Sequence, residues 1–208
     1  MNIDRIAQLL RPFAELSEEQ MERTSAYLDL LVRWNTRVNL TAVRDPEQVV
    51  TRHFGESFFA ARHLLAPDSS GTAIDVGSGA GFPGVPLAIF APTAQVTLIE
   101  SQGKKAAFLN EAIRTLSLGN CRVFPGRAET FPDKSTLVTM RAVEKFDRSF
   151  PAALVLVEQG GRIGLMIGIS QLRETERLAP QVEWEQPKKI PQSSARVLLV
   201  GKVTGPRT

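Results

Sequence analysis

The sequence predicts an α/β protein with a mostly parallel, seven-stranded sheet that ends in an antiparallel hairpin, preceded by an N-terminal helical extension. Three features predict it. From Thr72 onward, short apolar runs alternate with helical patterns, as β-α units feeding a parallel sheet require. The first of these runs leads directly into a glycine-rich turn and then a helix. The last two runs have no helical pattern between them, so they pair antiparallel, since a parallel pairing needs a long crossover.

The elements follow in chain order. Residues 1–70 read as helical. Ser17-Glu18-Glu19-Gln20 is a capping box, with Leu16 placed to staple onto Met21. Met21, Leu28, Leu31 and Val32 keep to one helical face. A second helix starts at Asp45-Pro46, an N-cap followed by proline at the first helical position, and carries Val49, Val50, His53, Phe54 and Phe58 to about Leu65. Pro67 to Gly71 reads as a loop. Strands are predicted over Thr72–Val76, Gln95–Glu100, Cys121–Phe124, Leu137–Arg141, Gly161–Ile167, Glu183–Lys189 and Arg196–Val203. Helices fit Val85–Phe90, Lys104–Leu118, Phe146–Val157 and Ser170–Leu178. The expected organisation is a helical extension over 1–70 and a ligand-binding α/β domain over 71–208.

Composition narrows the class. The 208 residues are 43% hydrophobic, enough for a packed core. No stretch reaches the roughly 18–20 apolar residues of a membrane span, and Met1-Asn2-Ile3-Asp4-Arg5 lacks the pattern of a signal peptide. The single cysteine, Cys121, rules out an intramolecular disulfide. A cytoplasmic protein is the expectation, with a monomer as the default. The formal charge of +3 is unevenly divided: residues 1–70 carry a net −2 and residues 71–208 a net +5. The basic half is compatible with a nucleic-acid partner.

The most informative segment is Asp75-Val76-Gly77-Ser78-Gly79-Ala80-Gly81-Phe82-Pro83-Gly84. Glycines at a strand-to-helix turn let the backbone approach a ligand, in the crevice beyond the strand ends. Gly79 to Gly84 formally matches the dinucleotide fingerprint G-x-G-x-x-G. Asp75 argues against a pyrophosphate, which prefers free amides to a neighbouring carboxylate. S-adenosylmethionine carries an ammonium and a sulfonium, and a carboxylate just before the first glycine suits that cation. Asp75 as a simple cap of backbone amides is the other alternative. Glu100, at the tip of the second predicted strand, suits the hydroxyls of a ribose and serves either nucleosidic ligand. Seven strands with a terminal hairpin favour a Rossmann-like class I methyltransferase over a six-stranded dinucleotide-binding sheet.

Beyond these residues the chain resembles the glucose-inhibited division protein B family, guanine-N7 methyltransferases of 16S ribosomal RNA. The likeness runs through Trp34-Asn35, Asn39-Leu40-Thr41, Val43-Arg44-Asp45, Arg52-His53, the loop Asp75 to Leu87, Leu98-Ile99-Glu100-Ser101, Lys104-Lys105, Phe108-Leu109, Gly126-Arg127-Ala128-Glu129 and Met140-Arg141-Ala142. The element Pro83-Gly84-x-Pro86 makes it specific. The resemblance implies S-adenosylmethionine as cofactor and 16S ribosomal RNA, within the small ribosomal subunit, as partner. It implies that Gly77 and Phe82 contact the cofactor, Glu100 its ribose, and Ala128 and Glu129 its adenine. Asp75, Gly79, Gly81 and Arg141 complete the expected cofactor site. Arg141 is expected where cofactor and target base meet, with Arg127 a second basic group nearby; these two are the catalytic candidates.

The chain departs from the family at three places. Glu56-Ser57 stands where Asp-Ser is usual, Ile167 where a lysine precedes the glycine, and Ala195-Arg196 where a histidine is expected. A non-catalytic RNA-binding or ribosome-assembly protein, and a methyltransferase with another acceptor, are therefore alternative readings; a nicotinamide oxidoreductase is more distant. The implied reaction needs no general base, because guanine N7 has a free lone pair and loses no proton. No triad or metal is expected. Arg127, Arg141, Lys145, Arg148, Lys188 and Lys189 are the candidate RNA contacts. His53 reads as a hydrogen-bonded structural histidine and His63 as a surface one.

Overall fold

The computed structural model describes residues 1–141 and 146–204. Ala142 and Lys145, both named above, lie outside the described residues.

The N-terminal helices form where local chemistry predicts them. Asn2 caps α1 (Ile3–Leu10) by accepting from the Arg5 amide. The Ser17–Gln20 capping box closes the start of α2 (Glu18–Asn35). On α2, Met21, Leu28 and Leu31 are buried, but Val32 is 43% exposed. At 100° per residue the buried arc of Thr24, Tyr27, Leu28 and Leu31 is centred between Leu31 and Thr24, and Val32 falls beyond its edge.

Asp45 caps α3 (Pro46–Val49) by accepting from the Gln48 amide at 2.8 Å. The second predicted helix then runs on to Leu64, though not as one α-helix. Residues Val50–Gly55 form a π turn before α4 (Glu56–Leu64). Such turns recur at functional sites because the extra residue re-aims neighbouring groups. Gly55 is required within it: a Cβ there would sit 2.7 Å from the Phe13 ring.

The sheet strands are β1 (Thr72–Val76), β2 (Gln95–Ile99), β3 (Cys121–Phe124), β4 (Ser135–Arg141), β5 (Val157–Gly168), β6 (Val182–Trp184), β7 (Lys188–Lys189) and β8 (Arg196–Val203). Their order is β3-β2-β1-β4-β5-β8-β6, with β7 also on β8. The first five strands are parallel; β8 runs antiparallel to β5 and to both short strands. The fold class is as expected, with eight strands rather than seven among the described residues. The run predicted as Glu183–Lys189 divides into β6 and β7, interrupted at Glu185–Pro187, where proline has no N–H for the ladder. Strand β5 begins at Val157, so α7 (Phe146–Val155) stops two residues before its predicted end.

Alternating side chains divide the core in two. Val96, Leu98, Leu198 and Val200 face one cluster; Ile99, Val197 and Leu199 face the other. The first cluster is filled by α1 to α4 together with α5 (Gly84–Phe90) and α6 (Gly103–Thr115). The second takes Phe150 and Ala153 of α7, with α8 (Leu172–Leu178) beside it. Among the described residues, no helix is long and apolar enough to cross a membrane.

The N-terminal helices reach the glycine loop through Tyr27. Its ring is fully buried, stacked on Phe82 at 5.5 Å and on Phe108 at 6.2 Å. Its hydroxyl donates to the carbonyl of Ala80, and burial pushes its pKa well above the ordinary value, so it stays a donor. Tyr27→Phe leaves that carbonyl without its partner. The expected loss is about 1–2 kcal/mol, read as a lower urea midpoint with an unchanged m-value.

Candidate functional site

The carboxyl ends of the parallel strands form one edge, and the predicted residues gather along it. At the tip of β1, Asp75 is 1% exposed. Its Oδ2 accepts from the Gly84 amide at 3.1 Å and its Oδ1 from the Thr139 hydroxyl at 2.9 Å. Burial raises its pKa to about 6, opposed by these hydrogen bonds. Asp75 thus closes the glycine loop from behind, tying the start of α5 back to β1 and β4. Its neighbour Gly84 has no room for a side chain, since a Cβ would lie 2.8 Å from the Asp75 carboxylate.

Ahead of Asp75 the loop turns back through Gly77 (φ 69°), Gly79 (φ 58°) and Gly81 (φ 85°). The amides of Gly77 and Ser78 both donate to the Ile99 carbonyl at 3.0 Å. Gly77 is exposed and Gly79 half-buried, whereas Gly81 and Phe82 are buried. At the tip of β2, Glu100 is 4% exposed and bridges loop and strand: Oε2 accepts from the Gly79 amide at 2.8 Å and Oε1 from the Gln102 amide at 2.7 Å. Ala128, buried, and Glu129, exposed, occupy a short 3-10 turn (Ala128–Thr130) after β3, next to exposed Arg127.

The second half of the edge is cationic. Arg141 ends β4 with its side chain 5% exposed. Its Nη2 donates to the Arg52 carbonyl at 2.6 Å, to Nδ1 of His53 at 3.1 Å and to Oε2 of Glu56 at 3.1 Å. Its Nε is buried without a partner among the described residues. The same Glu56 oxygen lies 3.1 Å from Nη2 of Arg196. Burial raises the Glu56 pKa, with Arg141, Arg196 and Arg52 opposing it. Burial lowers that of Arg141 to about 10, Glu56 opposing.

His53 joins this cluster. Because Nδ1 accepts from an arginine, Nε2 carries the proton and donates to the Thr41 hydroxyl at 2.7 Å. Its ring stacks on Phe82 at 5.2 Å. Asn35 presents Thr41 by accepting from the amides of Leu40 and Thr41. Burial, then the charges of Arg141, Arg196 and Arg52, lower the His53 pKa to about 3. His63 is half-buried, with Nδ1 2.8 Å from the Phe59 carbonyl.

The structure therefore brings together Asp75, the loop glycines, Phe82 and Glu100, and sets Arg141 beside them through His53 and Phe82. Arg127, Arg148 and Lys189 are exposed, and Lys188 pairs with Glu185 at 2.6 Å. Sequence reasoning missed Tyr27 and the joint role of Glu56 and Arg196. The last two were visible only as departures from a pattern. Tyr27 carried no signal beyond its helical face.

The chain is similar to known proteins both in sequence and in fold. A family model described as GidB, rRNA small subunit methyltransferase G, matches residues 20–198. The Ribosomal RNA small subunit methyltransferase G of Xanthomonas campestris pv. campestris (strain B100) is 44% identical over 154 residues, covering 73% of this chain and 71% of that protein. Its namesake from Xylella fastidiosa (strain 9a5c) is 40% identical over 179 residues, covering 84% and 82%. In backbone the chain is similar to a SAM-dependent methyltransferase from Aquifex aeolicus, with a TM-score of 0.62 at 13% identity over 80% of this chain and 97% of that one. That last likeness is one of fold.

The His53 environment sets a pH dependence. Its folded pKa of about 3 lies below the ordinary 6.5. Between those values the unfolded chain binds a proton that the folded chain does not, so stability falls as pH drops. The loss reaches up to about 3 kcal/mol by about pH 4. Asp75 works in the opposite sense: its folded pKa of about 6 exceeds 3.8, so its contribution is complete below 3.8 and lost as pH rises through 6. Urea titrations of the parent and His53→Gln separate the two. The variant is expected to lose less stability between pH 6.5 and 4, and parallel curves would show that His53 titrates as an ordinary histidine.

Proposed function

The chain belongs to the GidB family, rRNA small subunit methyltransferase G, and from that premise we propose that it moves the methyl group of S-adenosylmethionine to N7 of one guanine in 16S ribosomal RNA. The observation that carries this reading is the division of the sheet edge. Two carboxylates stand at the tips of β1 and β2, and two arginines at the end of β4 and the start of β8. The acidic half suits a ligand with an ammonium and ribose hydroxyls, while the cationic half suits a nucleic acid.

The loop fits the cofactor. Space above Gly79 is open, since a Cβ there would meet only the Gly77 carbonyl at 3.8 Å. Glu100 holds the Gly79 and Gln102 amides and keeps lone pairs free for hydroxyl donors. Gly77, Gly79, Gly81 and Phe82 would hold the amino-acid end, with the Asp75 charge beneath the loop; Ala128 and Glu129 would flank the adenine. When bound, S-adenosylmethionine supplies an electrophilic methyl group.

The protein's own residues supply position. Guanine N7 needs no proton removed, and His53, neutral with both ring nitrogens engaged, is not called on as a base. Holding the partners in line can account for roughly 7–11 kcal/mol of barrier. Arg141 would direct its fork at guanine O6 and leave N7 open. Arg127 would serve as a second cation at the rim. The same reading keeps residues 1–70 as a helical extension of a methyltransferase domain over 71–208. It also places a monomer in the cytoplasm acting on the small ribosomal subunit.

Radiolabelled S-adenosylmethionine and small subunits from cells lacking this protein test the proposal. Label is expected in the RNA, with borohydride–aniline cleavage at a single guanine; cofactor binding without transfer would defeat it. Arg141→Lys keeps a charge against Glu56 but loses the fork, and is expected to lower kcat roughly 10²-fold. Glu100→Gln should weaken S-adenosylmethionine binding about tenfold or more by calorimetry, because a charged acceptor is replaced by a neutral one.

A further inference from the structure

Strand β8 returns antiparallel to β5, with Arg196 paired to Gly168. Its first residue therefore lies at the edge where β4 and β5 end, and where Arg141 pairs with Met166. The two arginines converge from different strands on one oxygen, each Nη2 being 3.1 Å from Oε2 of Glu56. Two cations thus share one anion, and Arg52 adds to the positive field there. The cluster carries surplus positive charge.

Its two cations are unequally available. The Arg141 side chain is 5% exposed, whereas that of Arg196 is 24% exposed. Arg196 lines a cavity of about 560 Å³ with Gly168, Ile169, Ser170, Gln171 and Ser194. Ser170 and Ser194 are exposed, and no acidic residue lines the cavity among the described residues. Ile167, in the same lining, offers no charge. The available chemistry is one anchored guanidinium with hydroxyls around it. This suits a phosphodiester, a bidentate acceptor of guanidinium hydrogen bonds.

We propose that Arg196, held by Glu56 beside Arg141, binds a phosphodiester of the RNA next to the target guanine, and that the cavity over Gly168–Gln171 seats that stretch of backbone. This rests on the ribosomal RNA methyltransferase reading. Glu56 is a positioning residue: it touches no substrate and fixes the direction of the Arg196 fork. A guanidinium already fixed on one side loses less freedom when a phosphate engages the other.

Arg196→Gln and Arg196→Lys test it, in full-length protein, with methyl transfer to small ribosomal subunits lacking the modification measured across a potassium chloride series. Arg196→Gln is expected to raise KM for the subunit about tenfold, to leave kcat within about twofold and to leave S-adenosylmethionine affinity unchanged. The slope of log KM against log salt should shrink by about 0.7–0.9, the contribution of one phosphate. Arg196→Lys should restore the slope and part of the KM. An unchanged KM and slope in Arg196→Gln would overturn the inference, as would a fall in thermal stability with KM unaltered. If the parent transfers no label, the functional reading fails first and the inference with it. Transfer by the parent together with an insensitive Arg196→Gln defeats the inference alone.

Discussion

One carboxylate oxygen, Oε2 of Glu56, holds together parts of the chain that local sequence keeps far apart. It receives Arg141 from β4 and Arg196 from β8, and Glu56 itself begins α4 at the end of a π turn. A buried ion pair is not in itself a large source of stability, because desolvating the charges offsets their attraction. Removing one partner is different. It strands an unpaired buried charge, at a cost of about 3–5 kcal/mol. The arrangement is therefore less a source of stability than a constraint: α4 and β4 must meet at one point or neither buried charge is tolerated, and the more exposed Arg196 of β8 joins them there.

That constraint explains why the N-terminal helices matter to the sheet edge. The π turn places the Arg52 carbonyl and His53 against Arg141, and Thr41 completes the chain of hydrogen bonds. Phe82 stacks on both His53 and Tyr27, so the glycine loop and the cationic cluster share an aromatic wall. The acidic and cationic halves of the edge are thus mechanically joined although no ion pair crosses between them among the described residues.

Burial gives the two halves different electrostatic characters. Glu100 and Asp75 both accept backbone amides of the loop; burial raises the Asp75 pKa to about 6, with its hydrogen bonds opposing. His53 is pushed the other way, because burial and its arginine neighbours disfavour a further positive charge. The edge keeps a neutral imidazole among guanidinium groups, so the direction of its hydrogen bonds is fixed by Arg141, which can only donate.

Local order was readable from the sequence, since period-2 and period-3.6 patterns, caps and prolines act within a few residues. This gave the strands β1 to β5 and β8, the capping box at Ser17, the N-cap at Asp45 and the glycine loop with Asp75 and Glu100. The division of Glu183–Lys189 into two strands and the π turn within the second helix escaped, because both depend on how a segment meets its neighbours. Val32 escaped for a similar reason: its spacing fits a stripe, but the packed partner decides where the stripe ends. By itself, then, the sequence determined the fold class, the glycine-rich turn between β1 and α5, and the family. Only the tertiary structure decided which charges pair. Glu56 and Arg141 are 85 residues apart in the chain, and no periodicity reports on separations of that size. Coulomb energy depends on distance in space and on the water excluded between the charges, and both come into being only when the strands and helices are assembled.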